Sequence, residues 1–359
     1  MKRICRLLPF FLSVSSLAQQ TQVPEIPFDS VPDALKLPAD MYLGEAAGVA
    51  VNSKGHVFVL SRGNTTGPAY GAAATQLLEF DAKGTFLREI GHNLYAWSYA
   101  HSVKVDKEDN IWVADKGSDM VIKFNPQGRV VMVFGRKQEA SDEKTGPLPH
   151  PSPPLPPVDG MFRQVTDMAW DKAGNTYISD GYINSRIAKV DKNGDWIKSW
   201  GEPGDNPGQF STPHSIAVDA EDHVYVADRG NRRIQVFDSE GKFLRQINID
   251  VPFDANARPA IGNRPALPIK GSPTMVPGSP WAICITPPPN QVLFSSDAFP
   301  GRIYKLSLDG KVLGVLGGSG KQPKQFGWIH EIACPSEHEL YVSELLNWRV
   351  QKLILKTGY

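Results

Sequence analysis

The sequence has few cysteines, no excess of either charge, and no long apolar run beyond its first residues. Three cysteines in 359 residues, without a CxxC motif, are too few to staple a chain of this length. Because 38 Lys and Arg residues balance 38 Asp and Glu residues, no basic surplus points to nucleic acid or an anionic membrane. The nucleophile elbow of serine hydrolases, the H-E-x-x-H zinc motif and the phosphate-binding P-loop are also missing.

Glycine and proline, in contrast, are abundant, with 32 and 30 copies, and 41% of the residues are hydrophobic. Proline removes a backbone donor and breaks helices, so this composition favours strands joined by many turns over a helical bundle. The apolar fraction is sufficient for a large core, which excludes a wholly disordered chain.

The first 18 residues have the pattern of a secretory signal peptide. Lys2, Arg3 and Arg6 form a basic region before an apolar stretch over 7–17, which is too short to span a bilayer. Ala18 ends a small-x-small cleavage site. No later apolar run of about 20 residues exists, so we expect a secreted or periplasmic protein without a membrane span.

Removal of the signal peptide also removes Cys5, which leaves Cys284 and Cys334. In an oxidising compartment these two residues could form a disulfide, and as free thiols they would behave as small buried apolar side chains. The sequence leaves both possibilities open.

One sequence unit recurs six times along the chain. Each copy has four short runs of alternating apolar residues separated by turn residues; in the fourth copy they lie at 215–218, 224–227, 234–237 and 243–247. Four such strands with tight turns make a meander sheet, which cannot bury both faces alone. Six sheets arranged radially can do so. The sequence therefore predicts an all-β protein, a six-bladed β-propeller.

The two ends of the repeat region predict how the ring closes. The sixth unit stops after its third strand at 353–356, and a spare strand-like segment at 34–42 precedes the first unit. We expect this N-terminal strand to complete the last blade, which would remove exposed sheet edges. The predicted organisation is a signal peptide over 1–18, an N-terminal segment over 19–33 and a propeller over 34–359.

A turn of the form Asp-x-x-Asn-x-Arg recurs after the second strand of a unit. It is seen as Asp228, Asn231 and Arg233, and with one extra residue within 180–186. This repeat resembles the NHL family. We interpret these residues as structural, because Asp and Asn side chains satisfy the amides of turns.

Three of the eight histidines occupy the first position of an innermost strand: His101, His214 and His330, in units two, four and six. The matching positions of the other units hold Gly48, Thr166 and Trp281. Every second blade of six gives three positions around a pseudo-threefold axis. Three imidazoles at one height form a ligand set typical of catalytic zinc, although manganese, iron or copper would also fit.

Strand direction places further side chains at the end of the central channel where the histidines lie. If each innermost strand starts there, each second strand ends there, and Arg62, Tyr182 and Arg229 follow second strands. Guanidinium groups bind carboxylates in a bidentate way, and a phenol beside a divalent cation can serve as a base. Each of the three could also be an ordinary turn residue held in an ion pair.

This constellation resembles the peptidyl-α-hydroxyglycine α-amidating lyase family, the lyase half of peptide-amidating enzymes and a six-bladed NHL propeller. The likeness covers roughly residues 44–355 and rests on the following stretches: RGN at Arg62, AHSVKVDKEDNIWVAD around His101, SDGYINSRI around Tyr182, PHSIAVD around His214 and ADRGNRRIQVF around Arg229.

The resemblance implies roles for these residues. His101, His214 and His330 would hold zinc, Tyr182 would be the catalytic tyrosine, and Arg62 and Arg229 would bind the substrate. A structural calcium ion would be held by the backbone carbonyls of Val49 and Val103 and by the carboxylate of Glu331, where the family usually has Asp.

The reaction implied by the resemblance cleaves the C–N bond of a C-terminal α-hydroxyglycine and yields an amide and glyoxylate. The substrate would be a peptide or small molecule with such a group, and we expect a monomer that binds no nucleic acid. Two alternatives remain: a metal-dependent propeller hydrolase or lactonase, and a non-catalytic NHL propeller that binds protein or peptide ligands.

Overall fold

The computed structural model describes residues 23–63, 75–137, 156–266 and 274–358. Within these ranges the chain forms six antiparallel sheets of four strands each, so the predicted all-β, six-bladed propeller is confirmed. No helix in the described ranges has the length and apolar character needed to cross a membrane. The predicted signal peptide over 1–18 lies outside them.

Each blade is a meander in chain order, except that the last takes one strand from the start of the chain. Blade one contains β2 (Ala46–Val51), β3 (Val57–Ser61), β4 (Gln76–Phe80) and β5 (Phe86–Ile90). Blade two contains β6 (Ala100–Val105), β7 (Ile111–Asp115), β8 (Met120–Phe124) and β9 (Val130–Gly135). Blade three contains β10 (Asp167–Trp170), β11 (Thr176–Asp180), β12 (Arg186–Val190) and β13 (Trp196–Trp200).

The second half of the ring follows the same plan. Blade four contains β14 (Pro213–Val218), β15 (Val224–Asp228), β16 (Arg233–Phe237) and β17 (Phe243–Ile247), with a 3-10 helix at Arg229–Asn231. Blade five contains β18 (Ala282–Ile285), β19 (Leu293–Ser296), β20 (Ile303–Leu306) and β21 (Val312–Leu316). Blade six contains β22 (Ile329–Ser336), β23 (Glu339–Glu344), β24 (Arg349–Leu355) and β1 (Phe28–Val31).

An N-terminal strand closes the ring as predicted, but it is β1 and not the segment at 34–42. Phe28 pairs with Leu355 in antiparallel register, and Ile26 and Phe28 are buried in the apolar core of blade six. The apolar residues at 34–42 are not paired in that sheet. Leu35 and Leu37 pack instead against a core cluster that includes residues of blade one. The propeller therefore includes residues that we had assigned to the separate segment over 19–33.

The apolar cores lie between neighbouring sheets. One cluster combines residues of blades one and two, including Phe58 and Phe124, and another joins blades six and one through Val59 and Tyr341. Each of the other clusters likewise combines two adjacent blades. Every sheet thus buries both faces, and the first strand of each blade lines the central channel.

The recurring Asp-x-x-Asn-x-Arg turn braces the end of the second strand. The carboxylate of Asp228 is fully buried and accepts hydrogen bonds from the Ser211 amide (2.7 Å), Asn231 Nδ2 (2.9 Å) and Arg233 Nε (2.8 Å). Asp180 makes the equivalent bonds in blade three. These side chains fix the loops that carry the residues just after each second strand.

A disulfide joins Cys284 of β18 to Cys334 of β22. The pairing that the sequence left open therefore exists, and it links the innermost strands of blades five and six. Because β22 also carries His330, this bond fastens the strand that holds one of the three channel histidines.

Loss of this disulfide is expected to lower the stability of the protein. The bond closes a loop of 50 residues, for which the chain-entropy relation gives about 4 kcal/mol. We expect Cys334→Ser to lower the Tm in thermal unfolding. A reducing agent should bring the wild-type Tm down to that of the variant and leave the variant unchanged; equal Tm values for wild type and variant without reductant would contradict the bond.

Candidate active site

The three predicted histidines meet in the central channel. The ring centroids of His101, His214 and His330 lie 4.6 to 4.9 Å apart. Each ring belongs to the extra residue of a β-bulge, where the register of the innermost strand against its neighbour shifts by one. Bulges re-aim side chains, and these three turn the imidazoles towards the axis.

Nδ1 of each histidine donates a hydrogen bond to a backbone carbonyl of the next blade. Nδ1 of His101 donates to the carbonyl of Thr166 (2.7 Å), Nδ1 of His214 to that of Trp281 (2.6 Å) and Nδ1 of His330 to that of Ala47 (2.7 Å). The repeat position that matches the histidines in blade one is therefore Ala47 and not Gly48, because the bulge of β2 also shifts the register there. These bonds orient all three rings and leave each Nε2 as the unprotonated nitrogen of its ring.

The histidines are held in the neutral form that binds metals. Burial, followed by the charges of the other two imidazoles, lowers the pKa of His101 well below its usual range. Burial and the nearby Arg229 charge do the same to His214, and the pKa of His330 falls to about 3. Neutral imidazoles at physiological pH are ligands, not cations.

The triad fits a divalent metal ion. Ligand atoms of the three residues all lie within 4.8 Å of one another, and Nε2 of His214 is buried without a hydrogen-bond partner among the described residues. A buried, unpaired lone pair costs free energy unless something binds it. Three histidine ligands, each oriented by a backbone carbonyl, leave a coordination position open, as in catalytic zinc sites.

Tyr182 reaches the triad from the loop after β11. Its hydroxyl oxygen lies 3.3 Å from Nε2 of His101, and its ring packs edge-on against the rings of His101 and His214. Tyr182 follows a second strand, and its phenol lies beside the Nε2 atom of His101, as the strand-direction argument predicted for this opening.

Arg62 and Arg229 stand over aromatic rings near the same opening. The guanidinium of Arg62 lies 4.0 Å from the centroid of the Tyr99 ring, donates to the carbonyl of Ala100 (3.1 Å) and pairs with Glu45. The guanidinium of Arg229 lies 4.6 Å from the centroid of the Trp281 ring, and its Nε is buried with no partner in the described structure. Arginines held in this way are ready to bind an anion.

Comparison with known proteins finds similarity to a repeat family and to proteins named as peptide-amidating enzymes. The family model "NHL repeat" matches residues 210–237. A "Peptidyl-glycine alpha-amidating monooxygenase" of Mus musculus is 31% identical over 62% of this chain and 24% of its own length. The "Peptidyl-alpha-hydroxyglycine alpha-amidating lyase 1" of Drosophila melanogaster is 26% identical over 71% of this chain and 44% of its own length.

The chain is a six-bladed propeller that is similar to NHL-repeat proteins and to proteins named as amidating lyases. It spans about a quarter of the length of the mouse relative. A solved structure titled "Streptogramin B lyase structure" covers 92% of this chain with a TM-score of 0.55 and 14% identity, which supports the propeller fold alone.

Lys116 of this propeller is a site residue that the sequence analysis missed. It follows β7, as Arg62 follows β3, and its Nζ lies 4.1 Å from the centroid of the Tyr182 ring. Burial lowers its pKa, and the charges of Arg62 and Arg229 act in the same direction while Tyr182 opposes them. The rule that found the two arginines would have found this lysine if it had been applied to every blade.

The residues predicted to hold calcium lie one layer below the histidines. The carboxylate of Glu331 is buried and accepts hydrogen bonds at Oε2 from the amides of Val49 (3.3 Å) and Val103 (3.0 Å). An ammonium group, that of Lys104, lies 3.4 Å from Oε1 of Glu331. Burial raises the pKa of Glu331 to about 8, although the charge of Lys104 lowers it in part.

Proposed function

We propose that this protein is a metal-dependent carbon–nitrogen lyase that converts a C-terminal α-hydroxyglycine into an amide and glyoxylate. The observation that carries the proposal is the convergence of three neutral imidazoles and the Tyr182 phenol, with the phenol oxygen 3.3 Å from one metal-binding nitrogen. The relatives named as amidating lyases support this reaction.

The reaction needs no redox partner. The α-hydroxyl group loses its proton, the C–N bond breaks as the C–O double bond forms, and the nitrogen leaves as an amide after gaining a proton. A divalent cation such as zinc, bound by the three Nε2 atoms, would act as a Lewis acid that makes the α-hydroxyl more acidic. As a phenolate, Tyr182 would accept the hydroxyl proton and then return it to the departing nitrogen.

The cations of the opening would position the substrate. Arg62 is oriented by Ala100 and Glu45, and Arg229 by the face of Trp281. A substrate carboxylate bound by both guanidinium groups would hold its α-carbon close to the histidines, and such fixed placement lowers the barrier of a unimolecular cleavage.

We also propose that the mature protein is exported and acts as a monomer. The signal-peptide pattern before residue 19 and the disulfide between Cys284 and Cys334 both suit an oxidising compartment outside the cytoplasm. The ring closes on itself through β1 and β24, so the propeller needs no partner to complete a blade.

The decisive test is metal analysis of the purified mature protein, followed by a glyoxylate assay with an α-hydroxyhippurate substrate. We expect about one zinc ion per chain, as in mononuclear catalytic sites, and glyoxylate release that stops when the metal is removed and returns when zinc is restored. Zinc without glyoxylate would keep the metal centre and reject the lyase reaction. Absence of stoichiometric metal after reloading would favour a binding propeller.

A further inference from the structure

A second charged layer lies beneath the histidine ring. The ammonium group of Lys104 lies 3.4 Å from Oδ2 of Asp167 and 3.4 Å from Oε1 of Glu331. The two acids are 2% and 3% exposed. The three residues come from β6, from the start of β10 and from β22, so one side chain connects the innermost strands of blades two, three and six.

Other donors bind one oxygen of each acid, whereas Oε1 of Glu331 has no hydrogen-bond partner among the described residues and faces the ammonium of Lys104 at 3.4 Å. Asp167 Oδ2 accepts from the Ser215 hydroxyl (2.8 Å) and from the Ile216 amide (3.0 Å). Glu331 Oε2 accepts from two amides of blades one and two, as described above. Five of the six innermost strands therefore contribute a group to this charged layer. The positive charge of the layer is the side-chain ammonium group of Lys104.

This arrangement suits an ammonium group and does not suit calcium. Calcium takes six to eight oxygen ligands at about 2.3–2.6 Å, whereas here the cation position next to both acids is held by Lys104 and two N–H groups point at Glu331. A second, divalent cation beside a confined ammonium would be repelled strongly at low dielectric constant. The ammonium of Lys104 lies equally close, at 3.4 Å, to one oxygen of each acid.

We propose that Lys104 replaces a structural calcium ion in this propeller, so that the inner strands are joined by a built-in cation and the fold does not depend on calcium. Removal of one partner from a buried charge cluster leaves the other charges uncompensated and is strongly destabilising. A shorter neutral side chain at the same position would leave a cavity beside two carboxylates, which are calcium ligands.

The test uses the full mature chain loaded with zinc, with bound calcium measured by equilibrium dialysis and stability by thermal unfolding. Calcium is supplied at about 1 mM, where extracellular calcium modules fill. We expect the wild type to bind no stoichiometric calcium and to keep the same Tm with and without it. Lys104→Ser should lose roughly 5 °C of Tm without calcium, bind about one calcium ion per chain and regain much of the lost Tm.

Two further variants make the result specific. Lys104→Met should lose Tm without rescue by calcium, because its side chain fills the space that the ion would need. Lys107→Ser, which changes an exposed lysine of the same blade, should behave as the wild type.

Stoichiometric calcium binding by the wild type, or a wild-type Tm that rises with calcium, would overturn the proposal. So would a Lys104→Ser protein that is as stable as the wild type and binds no calcium. If Lys104→Ser does not fold, the wild-type dialysis and Lys104→Met decide the matter. None of these readouts depends on turnover, so failure of the proposed lyase activity would leave them interpretable.

Discussion

Replacing His214 with alanine is expected to abolish both metal binding and turnover. His214 supplies one of the three Nε2 lone pairs, and its own is buried without a partner in the described structure. Two imidazoles that remain would bind a divalent ion far more weakly than three, and the Lewis acid would be lost with it. We expect metal content near zero after dialysis and no measurable glyoxylate release.

The matched control is His92→Ala, because His92 is 72% exposed at its side chain and bonds only to a carboxylate three residues away among its described contacts. This variant should retain full metal and full activity. His101→Ala and His330→Ala should repeat the loss seen for His214→Ala. Full metal content in His214→Ala would show that the ion is bound elsewhere and would end the three-histidine interpretation.

Tyr182→Phe is expected to keep the metal and to lower kcat by roughly 10²–10⁴-fold, the range for loss of a general acid–base group. The substitution removes one oxygen atom that lies 3.3 Å from His101 Nε2 and leaves the ring contacts with His101 and His214 intact. Because the proposed contacts of Arg62 and Arg229 with the substrate carboxylate are not altered, KM should change much less than kcat. Steady-state kinetics with metal analysis of the same sample would check both expectations.

Tyr95→Phe serves as the control, since Tyr95 is 67% exposed. It should match the wild type in kcat, KM and metal content. A near-normal kcat for Tyr182→Phe would remove this phenol from the chemistry, and Lys116, whose ammonium lies over the same ring, would become the next group to test.

The repeat pattern predicted the fold and most of the site because a propeller repeats its geometry. Once His101, His214 and His330 were assigned to equivalent strands, the sixfold arrangement placed them on one axis. The same reasoning placed Arg62 and Tyr182 at the opening. No knowledge of individual contacts was needed, since equivalent positions of the blades lie at equal depth.

What the sequence did not predict depends on single-residue register and on long-range pairing. Ala47, the extra residue of the bulge in β2, faces His330, one position before the Gly48 that the repeat comparison gave. The apolar alternation at 34–42 resembles a strand, yet those side chains pack on a blade face, and Phe28 pairs in the last blade instead. Alternating hydrophobicity shows that a segment has one buried face, but it does not show which surface covers that face.

The pairing of β1 with β24 also has a consequence for the order of events in assembly. The hydrogen bond between Ser30 and Gln351 joins residues 321 positions apart, and contacts of such separation form late. His330 belongs to the same blade, so the blade that carries the third nitrogen ligand is complete only when this pairing is made. A chain still emerging from a ribosome or an export channel would carry two of the three histidines and hold a metal ion poorly. Metal uptake would therefore follow completion of the ring, in whichever compartment the finished chain folds.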